Sequence, residues 1–354
     1  MKTELRSGKY IMKNDVVLLF GGNSEERLVS VASAQNLARQ FSFSEFIFQD
    51  NSERLFKVTD EELFQHADVF VKEFKPAKPA FAESLNEALD YFKNKVVFLG
   101  WHGAHGENGE IQFLFETHKI IFTGSGSESS QNAFEKNQAK EIISNTDIKI
   151  PLEIKFENSQ TEILRSQFEK FLNQHKKIVF KPTASGSSYG LHIVSDVEKL
   201  NQALELIKKD SFKSYLVENF INGRELTVGV VQMADELIAL PASEIILNEG
   251  SAFDYEGKYL GTGATEITPA NLTSSELEVV QKLALDAHIA LGCYGYSRTD
   301  LILTTDGAYF LETNTLPGLS KPSFLPQQLL AADIPFKNFI EAQINLARHR
   351  YETD

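Results

Sequence analysis

The chain has little cysteine and no long apolar segment, and both absences limit what it can be. Its 354 residues include one cysteine, Cys293, so an internal disulfide and a cysteine-cluster metal site are both excluded. The apolar surroundings of Cys293 in the sequence indicate a core thiol rather than a nucleophile. No apolar run is long enough to span a bilayer, and residues 1–13 are polar and basic without an apolar signal core. We therefore expect a cytoplasmic protein with no membrane partner.

Positive charge is also scarce. Lys and Arg number 35 against 49 Asp and Glu, which gives a formal net charge of −14 and argues against a nucleic-acid backbone as partner. Any phosphate must therefore bind at a local basic cluster. Hydrophobic residues make up 42% and charged residues 24%, a balance typical of globular proteins, and the length allows two or three domains.

The first third of the chain alternates strand and helix signals, which predicts a parallel sheet with helices on its faces. The strand signals lie at residues 15–20, 68–71, 95–99 and 119–122, and a helix is expected from about Ser24. Glycines follow most of these strand ends. Because ligands of open α/β sheets bind at the carboxyl ends of strands, that edge is a predicted binding face.

The pattern changes near residue 125, which indicates a domain boundary. Beyond it we expect a polar helix and then strands that carry lysines, at residues 128–144, 149–156, 176–181 and 215–220. A later helix has apolar residues at helical spacing from Leu277 to Leu291 and should end at Gly292. The predicted domains are residues 1–125, 126–222 and 223–354, and the last includes a lid loop over residues 250–266. An ordinary surface loop is the alternative for that segment.

The most informative stretch is residues 298–318, where acidic residues are set into two apolar runs. The runs are separated by a turn signal at residues 305–307, so they predict an antiparallel hairpin with Asp300, Glu312 and Asn314 on one side. Burying carboxylates is costly unless something compensates for their charge. Oxygen ligands of this kind suit Mg²⁺, which shares its coordination shell with nucleotide phosphates. Solvated acids at strand ends are the alternative interpretation.

Two further segments indicate nucleotide binding. The loop at residues 181–190 has small residues that let backbone amides approach phosphate while Lys181 supplies charge, although its glycine spacing is that of neither a Walker loop nor a dinucleotide fingerprint. The strand that contains Glu218 leads into a connector that could offer backbone groups to adenine. Glu218 and Glu225 could then hold the adenine amino group and the ribose hydroxyls. A hairpin without a ligand and solvated glutamates are the respective alternatives.

Two glycine-rich strand ends in the first third favour ligand contacts as well. Residues 21–27 combine two glycines with an N-cap candidate, Asn23 or Ser24, although a capped helix without a ligand would explain most of this pattern. Residues 101–110 carry three glycines and two histidines. The histidine spacing is poor for zinc, so a loop that contacts substrate is the better interpretation.

Together these motifs resemble the D-alanine:D-alanine ligases of the ATP-grasp superfamily over nearly the whole chain. The segments that carry the resemblance are, in order, Gly21–Arg27, His102-Gly103, Gly106–Gly109, Lys136, Lys181–Gly190, Phe253–Tyr259, Arg298–Asp300 and Glu312–Gly318 with Ser323. The resemblance implies an α/β ATP-grasp fold with an α+β ATP-binding part and an N-terminal Rossmann-like parallel-sheet domain. It also implies ATP-dependent ligation of two D-alanines through an acyl phosphate, for peptidoglycan precursors, by a homodimer.

The resemblance further implies nucleotide and metal contacts by matching position. The residues implied to hold ATP are Lys136 and Lys181 at the phosphates and Glu218, Phe220, Ile221 and Glu225 at the adenosine. Those implied to hold two Mg²⁺ ions, with Mn²⁺ as a substitute, are Asp300, Glu312 and Asn314.

The implied amino-acid site lies beside these groups. Lys258 and Arg298 would neutralise the transferred phosphoryl group, and Glu26 with His102 would bind the first amino acid. A hydrogen-bonded triad of Glu26, Ser187 and Tyr259 would position the amine of the second. The Gly318 amide with Arg298 resembles an oxyanion hole, and Ser323 resembles the contact for the second carboxylate.

Two alternatives remain open. Another ATP-grasp ligase with a different second substrate would keep the phosphate and metal residues, and three positions beside the second carboxylate depart from the family pattern: Ser320, Pro322 and Phe324. A regulatory protein that binds ATP without catalysis would be expected to lack Arg298, Glu312 or Asn314. All three residues are present.

Overall fold

The computed structural model describes residues 15–184, 190–247 and 264–352, which form three sheets with flanking helices. The first sheet has the order β3–β2–β1–β4–β5. Its strands are β1 (Val16–Gly21), β2 (Glu45–Gln49), β3 (Leu55–Val58), β4 (Val96–Leu99) and β5 (Ile121–Phe122). All adjacent pairs are parallel except β2 with the edge strand β3. The prediction of a mainly parallel sheet is confirmed.

Helices lie between the strands of this sheet in the sequence and connect its last strand to the second sheet. They are α1 (Arg27–Gln40), α2 (Asp60–Gln65), α3 (Leu89–Phe92), α4 (Ala104–Glu107), α5 (Glu110–Thr117), α6 (Ser127–Phe134) and α7 (Lys136–Ile143). Every residue of β1 is buried, which explains why this strand reads as a continuous apolar run rather than an alternating one.

Three predictions for this part of the chain are wrong in detail. Residues 68–71 form a turn in which Asp68 has a φ of 56° and Val71 is exposed. Helix α1 begins at Arg27 rather than near Ser24, because the Ser24 hydroxyl donates to the His102 carbonyl at 2.6 Å instead of capping the helix. The helix expected over residues 128–144 is two helices, because Glu135 adopts an extended ψ of 96° between them.

The second sheet is antiparallel, in the order β6–β9–β7–β8. Its elements are β6 (Glu153–Glu157), a 3₁₀ turn (Asn158–Gln160), α8 (Arg165–His175), β7 (Ile178–Pro182), β8 (His192–Val194), α9 (Val197–Lys209) and β9 (Ser214–Asn219). The two helices pack on the sheet around a hydrophobic cluster whose members all lie within residues 154–217. We call residues 153–219, which form this sheet and its two helices, the central unit.

The third sheet has the order β13–β12–β10–β14–β15, and β11 pairs with β10. Its elements are β10 (Arg224–Met233), β11 (Glu236–Ala239), β12 (Ser243–Leu247), β13 (Ala264–Ile267), α10 (Ser274–Ala290), β14 (Tyr296–Thr304) and β15 (Gly307–Asn314). The predicted hairpin and its turn are confirmed by the antiparallel pairing of β14 with β15. The end of α10 is confirmed as well, since Gly292 follows it with a φ of 67°.

The last two helices, α11 (Phe324–Ala331) and α12 (Phe336–Glu352), bring the end of the chain back to its beginning. Phe339, Ile340 and Ile344 of α12 belong to the same hydrophobic cluster as strands β1 and β4. The Arg350 guanidinium donates to the Phe122 and Gly124 carbonyls, both at 2.9 Å. None of the helices in the described ranges has the length and apolar character needed to cross a membrane.

Candidate active site

The face of the β14–β15 hairpin collects four polar side chains. Asp300 pairs with Glu312 and Arg298 pairs with Asn314, so all four point to one side of the sheet. Thr227 of β10 pairs with Asp300, and its hydroxyl donates to Asp300 Oδ1 at 2.5 Å. The expectation that the two carboxylates and the amide share a face is confirmed.

Each carboxylate on this face is paired with a cation. Arg298 donates to Asp300 through two nitrogens, Nε to Oδ1 and Nη2 to Oδ2, each at 3.0 Å. Such two-point contacts fix the orientation of both planar groups. Lys136, the first residue of α7, lies 3.1 Å from Glu312 Oε2 through its Nζ atom. The two cations that are predicted to bind phosphate therefore contact the two carboxylates that are predicted to bind metal.

The donor chemistry of this face fits a hard divalent cation. Two carboxylates and one amide supply only oxygen ligands, which is the set that Mg²⁺ prefers. Within the described ranges, no group of three or more His, Cys, Asp or Glu side chains could hold a metal ion. The Asn314 amide oxygen would add to the two carboxylates as a ligand, and among the described residues its buried Nδ2 has no hydrogen-bond partner that would hold this amide in another orientation.

A small cavity of about 20 Å³ opens between the hairpin and the first sheet. It is lined by Glu26, Gly103, Glu107, Ala133, Phe134, Lys136, Glu312, Thr313 and Asn314. Glu107 is buried and accepts a hydrogen bond from the Gly103 amide at 3.2 Å. Burial and the nearby Glu26 carboxylate raise the pKa of Glu107 to about 8. The cavity thus joins Glu26 to the predicted metal and phosphate residues.

His102 holds two distant segments together. Its Nδ1 lies 2.8 Å from the Leu316 carbonyl and its Nε2 lies 2.7 Å from the Ser33 hydroxyl. Because a carbonyl only accepts, Nδ1 carries the proton and Nε2 accepts from Ser33, which in turn accepts from the Leu319 amide at 3.0 Å. Burial lowers the pKa of His102, in keeping with a neutral ring. Both ring nitrogens are engaged, so His102 braces residues 316–319.

The segment that His102 braces contains Gly318, the predicted oxyanion donor, and leads to Ser323, the predicted contact for the second carboxylate. A Cβ atom on Gly318 would lie 2.7 Å from Ser323 Oγ, which shows how closely the two residues approach. Ser323 precedes α11, and its hydroxyl hydrogen-bonds the Ser320 hydroxyl at 2.7 Å. The structure therefore brings Gly318 and Ser323 together beside the hairpin.

The central unit contributes a buried charge network. Glu218 of β9 is hydrogen-bonded to Lys140 and lies 2.9 Å from Lys181 Nζ. Burial raises the pKa of Glu218, but the ammonium groups of Lys181 and Lys140 outweigh it and hold the pKa below its usual value. Burial lowers the pKa of Lys181, yet nearby carboxylates, Glu218 first and then Glu312, raise it overall. Lys181 therefore lies between the central unit and the hairpin.

The connector after β9 borders a cleft of about 510 Å³. Phe220 and Ile221 line it on one side, and the turn of the hairpin lines it on the other. Glu225 lies two residues before Thr227 on β10, so their side chains are on the same face of the sheet. Thr227 pairs with Asp300, and Glu225 therefore shares the face that carries Asp300. Lys258, Tyr259, Ser187 and residues 250–263 lie outside the described residues. The predicted lid ends too late in the sequence, because residues 264–266 belong to strand β13, which pairs with β12.

Sequence reasoning missed several residues that the structure joins to these groups. They are Ser33, Glu107, Lys140 and Thr227. Lys140 had a detectable signal, because it follows Lys136 by four residues and so lies on the same face of α7. Glu107 lay within a motif already singled out. Ser33 and Thr227 had no detectable signal in the sequence, because each binds a residue more than 65 positions away.

Comparison with known proteins agrees with this arrangement. The family model described as D-ala D-ala ligase N-terminus matches residues 15–125, and that described as D-ala D-ala ligase C-terminus matches residues 131–345. A D-alanine--D-alanine ligase from Leptospira interrogans is 35% identical over 298 residues, which cover 82% of this chain and 82% of that protein. A D-alanine--D-alanine ligase from Desulfotalea psychrophila is 34% identical over 333 residues, 94% of each chain.

Solved structures show the same fold. The VanG D-Ala:D-Ser ligase from Enterococcus faecalis superposes with a TM-score of 0.78 at 27% identity, over 95% of this chain and 100% of that one. This likeness confirms the fold class expected from the sequence.

Proposed function

The chain belongs to the D-alanine:D-alanine ligase family, and from this we propose that it joins two D-alanines into D-alanyl-D-alanine while converting ATP to ADP and phosphate. The observation that supports this most is the pairing of Lys136 with Glu312 and of Arg298 with Asp300 on one face. Phosphoryl transfer needs cations and metal-binding carboxylates together, because the transferred group and its metal carry opposite charges.

We propose that ATP binds between the central unit and the hairpin. Glu218 would accept from the adenine amino group, Phe220 and Ile221 would offer the connector backbone, and Glu225 would hold the ribose. Lys136 and Lys181 would contact the phosphates. Asp300, Glu312 and Asn314 would hold two Mg²⁺ ions, with Mn²⁺ as a substitute, and these ions would neutralise phosphate charge when bound. The domain limits of 1–125, 126–222 and 223–354 are part of this proposal.

The proposed reaction has two steps. The carboxylate of the first D-alanine, bound beside Glu26 and His102, attacks the γ-phosphorus, and ADP leaves to give an acyl phosphate. The amine of the second D-alanine then attacks the acyl carbon, loses a proton, and displaces phosphate. The Gly318 amide and Arg298 would donate to the oxyanion of the tetrahedral intermediate, where aimed donors stabilise developing charge. Ser323 would bind the second carboxylate.

Three further roles fall on residues outside the described ranges, except for residues 264–266 at the end of the predicted lid, which lie in β13. Lys258 would help neutralise the transferred phosphoryl group. Ser187 and Tyr259 would complete a triad with Glu26 that orients the attacking amine, and a lid over residues 250–266 would exclude water from the acyl phosphate. We further propose that the enzyme works in the cytoplasm as a homodimer and supplies peptidoglycan precursors.

D-serine is a second candidate for the second substrate. The likeness to a D-Ala:D-Ser ligase favours testing it, and so do the departures at Ser320, Pro322 and Phe324 beside Ser323. One experiment separates the candidates: phosphate release measured with ATP and Mg²⁺ on D-alanine alone, on D-alanine with D-serine, and on L-alanine, with the products identified by mass. We expect release with D-alanine alone and a D-alanyl-D-alanine product. An equal rate with L-alanine would contradict the proposal.

A further inference from the structure

Lys140 is a buried lysine to which neither the sequence motifs nor the proposed reaction assigns a task. Its side chain is 1% exposed, although lysine is almost never fully buried unless it is paired. It lies one helical turn beyond Lys136 on α7. Burial, followed by the nearby Lys181, lowers the pKa of its ammonium group, so its charge depends on the carboxylates that it contacts.

Two carboxylates flank the Lys140 ammonium. Nζ lies 3.0 Å from Glu153 Oε2 and is hydrogen-bonded to Glu218 Oε1. Lys181 reaches the same oxygen, Glu218 Oε1, at 2.9 Å. Two ammonium groups from different elements therefore converge on one oxygen of Glu218. Glu218 itself is 3% exposed, so this carboxylate has little freedom to turn.

The contact has a direct bearing on purine recognition. When Oε1 is held by two ammonium groups, Oε2 is the oxygen left to accept from a ligand. The 6-amino group of adenine is a donor, whereas the 6-oxo group of guanine or hypoxanthine is an acceptor that a fixed carboxylate repels. A site built to bond one polar group rejects an analogue that lacks it far more strongly than an apolar pocket does.

We propose that Lys140 is a positioning residue for nucleotide selection, which holds Glu218 Oε1 so that Oε2 accepts from the 6-amino group of adenine. This inference rests on the proposed function, because it takes ATP as the nucleotide and Glu218 as its adenine contact. Lys181 alone cannot hold the orientation in the same way, because the proposed function also places it at the phosphates. Among the described residues, Lys140 forms ion pairs with Glu153 and Glu218, and the proposed function gives it no role at the phosphates.

The test compares ATP with inosine triphosphate, which carries a 6-oxo group in place of the amino group. We expect wild type to prefer ATP, and Lys140→Met to lower the ratio of the two kcat/KM values at least about tenfold, the worth of one buried hydrogen bond to a charged group. The loss should appear as a higher KM for ATP with little change in the KM for D-alanine. A purely structural defect would lower both kcat/KM values together and leave the ratio unchanged.

Lys208→Met is the matched control. Lys208 also contacts two glutamates, Glu162 and Glu205, and lies in the central unit, but its side chain is 30% exposed and far less buried than that of Lys140. Its nucleotide ratio should equal that of wild type. If Lys140→Met does not fold, Lys140→Gln carries the test, because its amide still donates to Glu218 without the charge. Its ratio should fall below that of wild type, and a ratio equal to wild type would overturn the role of Lys140.

Different results would overturn the role of Lys140 and the ligase assignment. An unchanged ATP to inosine triphosphate ratio in a folded Lys140 variant overturns the role of Lys140 and leaves the ligase assignment intact. A wild type that releases no phosphate from ATP and D-alanine overturns the ligase assignment. The same nucleotide comparison, measured then as the rise in melting temperature on binding, still decides the role of Lys140.

Discussion

At the scale of single residues, both carboxylates among the predicted metal ligands are paired with cations predicted to contact phosphate. Asp300 contacts Arg298 and Glu312 contacts Lys136. Binding of metal and ATP would therefore exchange partners: the carboxylates would turn from cation to metal, and the cations from carboxylate to phosphate. Each of these carboxylates already has a cation beside it in the protein. The exchange therefore leaves none of these four charged groups without an opposite charge.

Removing one charge from this arrangement should stop turnover without unfolding the chain. We expect Glu312→Gln to lower the rate of phosphate release at least about a hundredfold, since even weaker changes around metal ligands cost that much. The melting curve should stay close to that of wild type, because the amide keeps the shape of the side chain. Near-normal turnover at low millimolar Mg²⁺ would place the metal ligands elsewhere. Glu341→Gln, which alters an exposed glutamate near Lys337, is the control.

Another buried side chain should make stability depend on pH. His288 is 1% exposed, and its Nδ1 lies 2.7 Å from the Ser297 hydroxyl. Burial lowers its pKa from 6.5 to about 4, so the unfolded chain takes up a proton at a higher pH than the folded chain does. The stability from this group is therefore fully present above about pH 6.5 and is lost as pH falls toward 4.

We accordingly expect His288→Asn to flatten the acid side of the stability profile. At about 1.4 kcal/mol per pKa unit, wild type should lose up to about 3 kcal/mol more than the variant between pH 6.5 and 4. Urea unfolding across this range measures the difference. His118→Asn, which replaces an exposed histidine, is the control and should leave the slope of stability against pH as it is in wild type. Parallel slopes for His288→Asn and wild type would mean that folding does not lower the pKa of His288.

At the scale of elements, helix α10 supports the sheet that carries the site. Its first turn is closed by a capping box in which Thr273 and Glu276 bond each other's backbone amides. Its buried residues, among them Val280, Leu283 and Ala284, pack against the back of β10 and β14. The helix thus stabilises the surface from which Arg298 and Asp300 project.

Loss of the cap should lower the stability of the protein but leave its turnover nearly unchanged. We expect Thr273→Ala to destabilise the protein by about 1 kcal/mol, because the Glu276 amide loses its acceptor. The melting temperature should fall by a few degrees while kcat at 25 °C stays within twofold of wild type. Glu278→Ala, at an exposed position of the same helix, is the control. A large fall in kcat without a fall in melting temperature would mean that the start of α10 takes part in the reaction.

Elements whose pattern is local could be predicted from the sequence, and those that depend on distant partners could not. The hairpin and α10 have complete signals of their own: alternating apolar runs around a turn, and apolar residues at helical spacing before Gly292. Residues 68–71 have the apolar residues of a strand but no neighbouring strand to pair with, so they form a turn. The role of His102 was equally hidden, because Ser33 and Leu316 lie 69 and 214 residues away.

At the scale of the whole molecule, the hydrophobic cores divide the chain unevenly. The central unit has a core of its own within residues 154–217. The core of the first sheet instead includes Leu316 and Leu325 and the α12 residues Phe339 and Ile344. The first and last parts of the chain therefore form one cooperative body, to which the central unit is joined.

This division predicts where a defect in α12 will be felt. Ile344→Ala, at a position 2% exposed, should destabilise the protein by about 2–4 kcal/mol through the cavity it leaves. Hydrogen exchange should show lost protection in β1 and β4 and unchanged protection in β7 and β9. Leu330→Ala, at a position 79% exposed, should change stability by less than about 0.5 kcal/mol. Equal loss of protection in the central unit would show that the chain unfolds as a single body.

The return of α12 to the first sheet also sets the order in which a newly made chain can finish folding. Residues 15–125 leave the ribosome before the other two sheets do, yet α12, which covers their core, is translated after both of those sheets. The central unit is complete in the nascent chain well before that helix appears, so it can close while the first sheet still exposes apolar surface. Domains made first usually fold first during synthesis. Here the first sheet must wait for α12, and β1 and β4 keep apolar surface exposed until that helix packs on them.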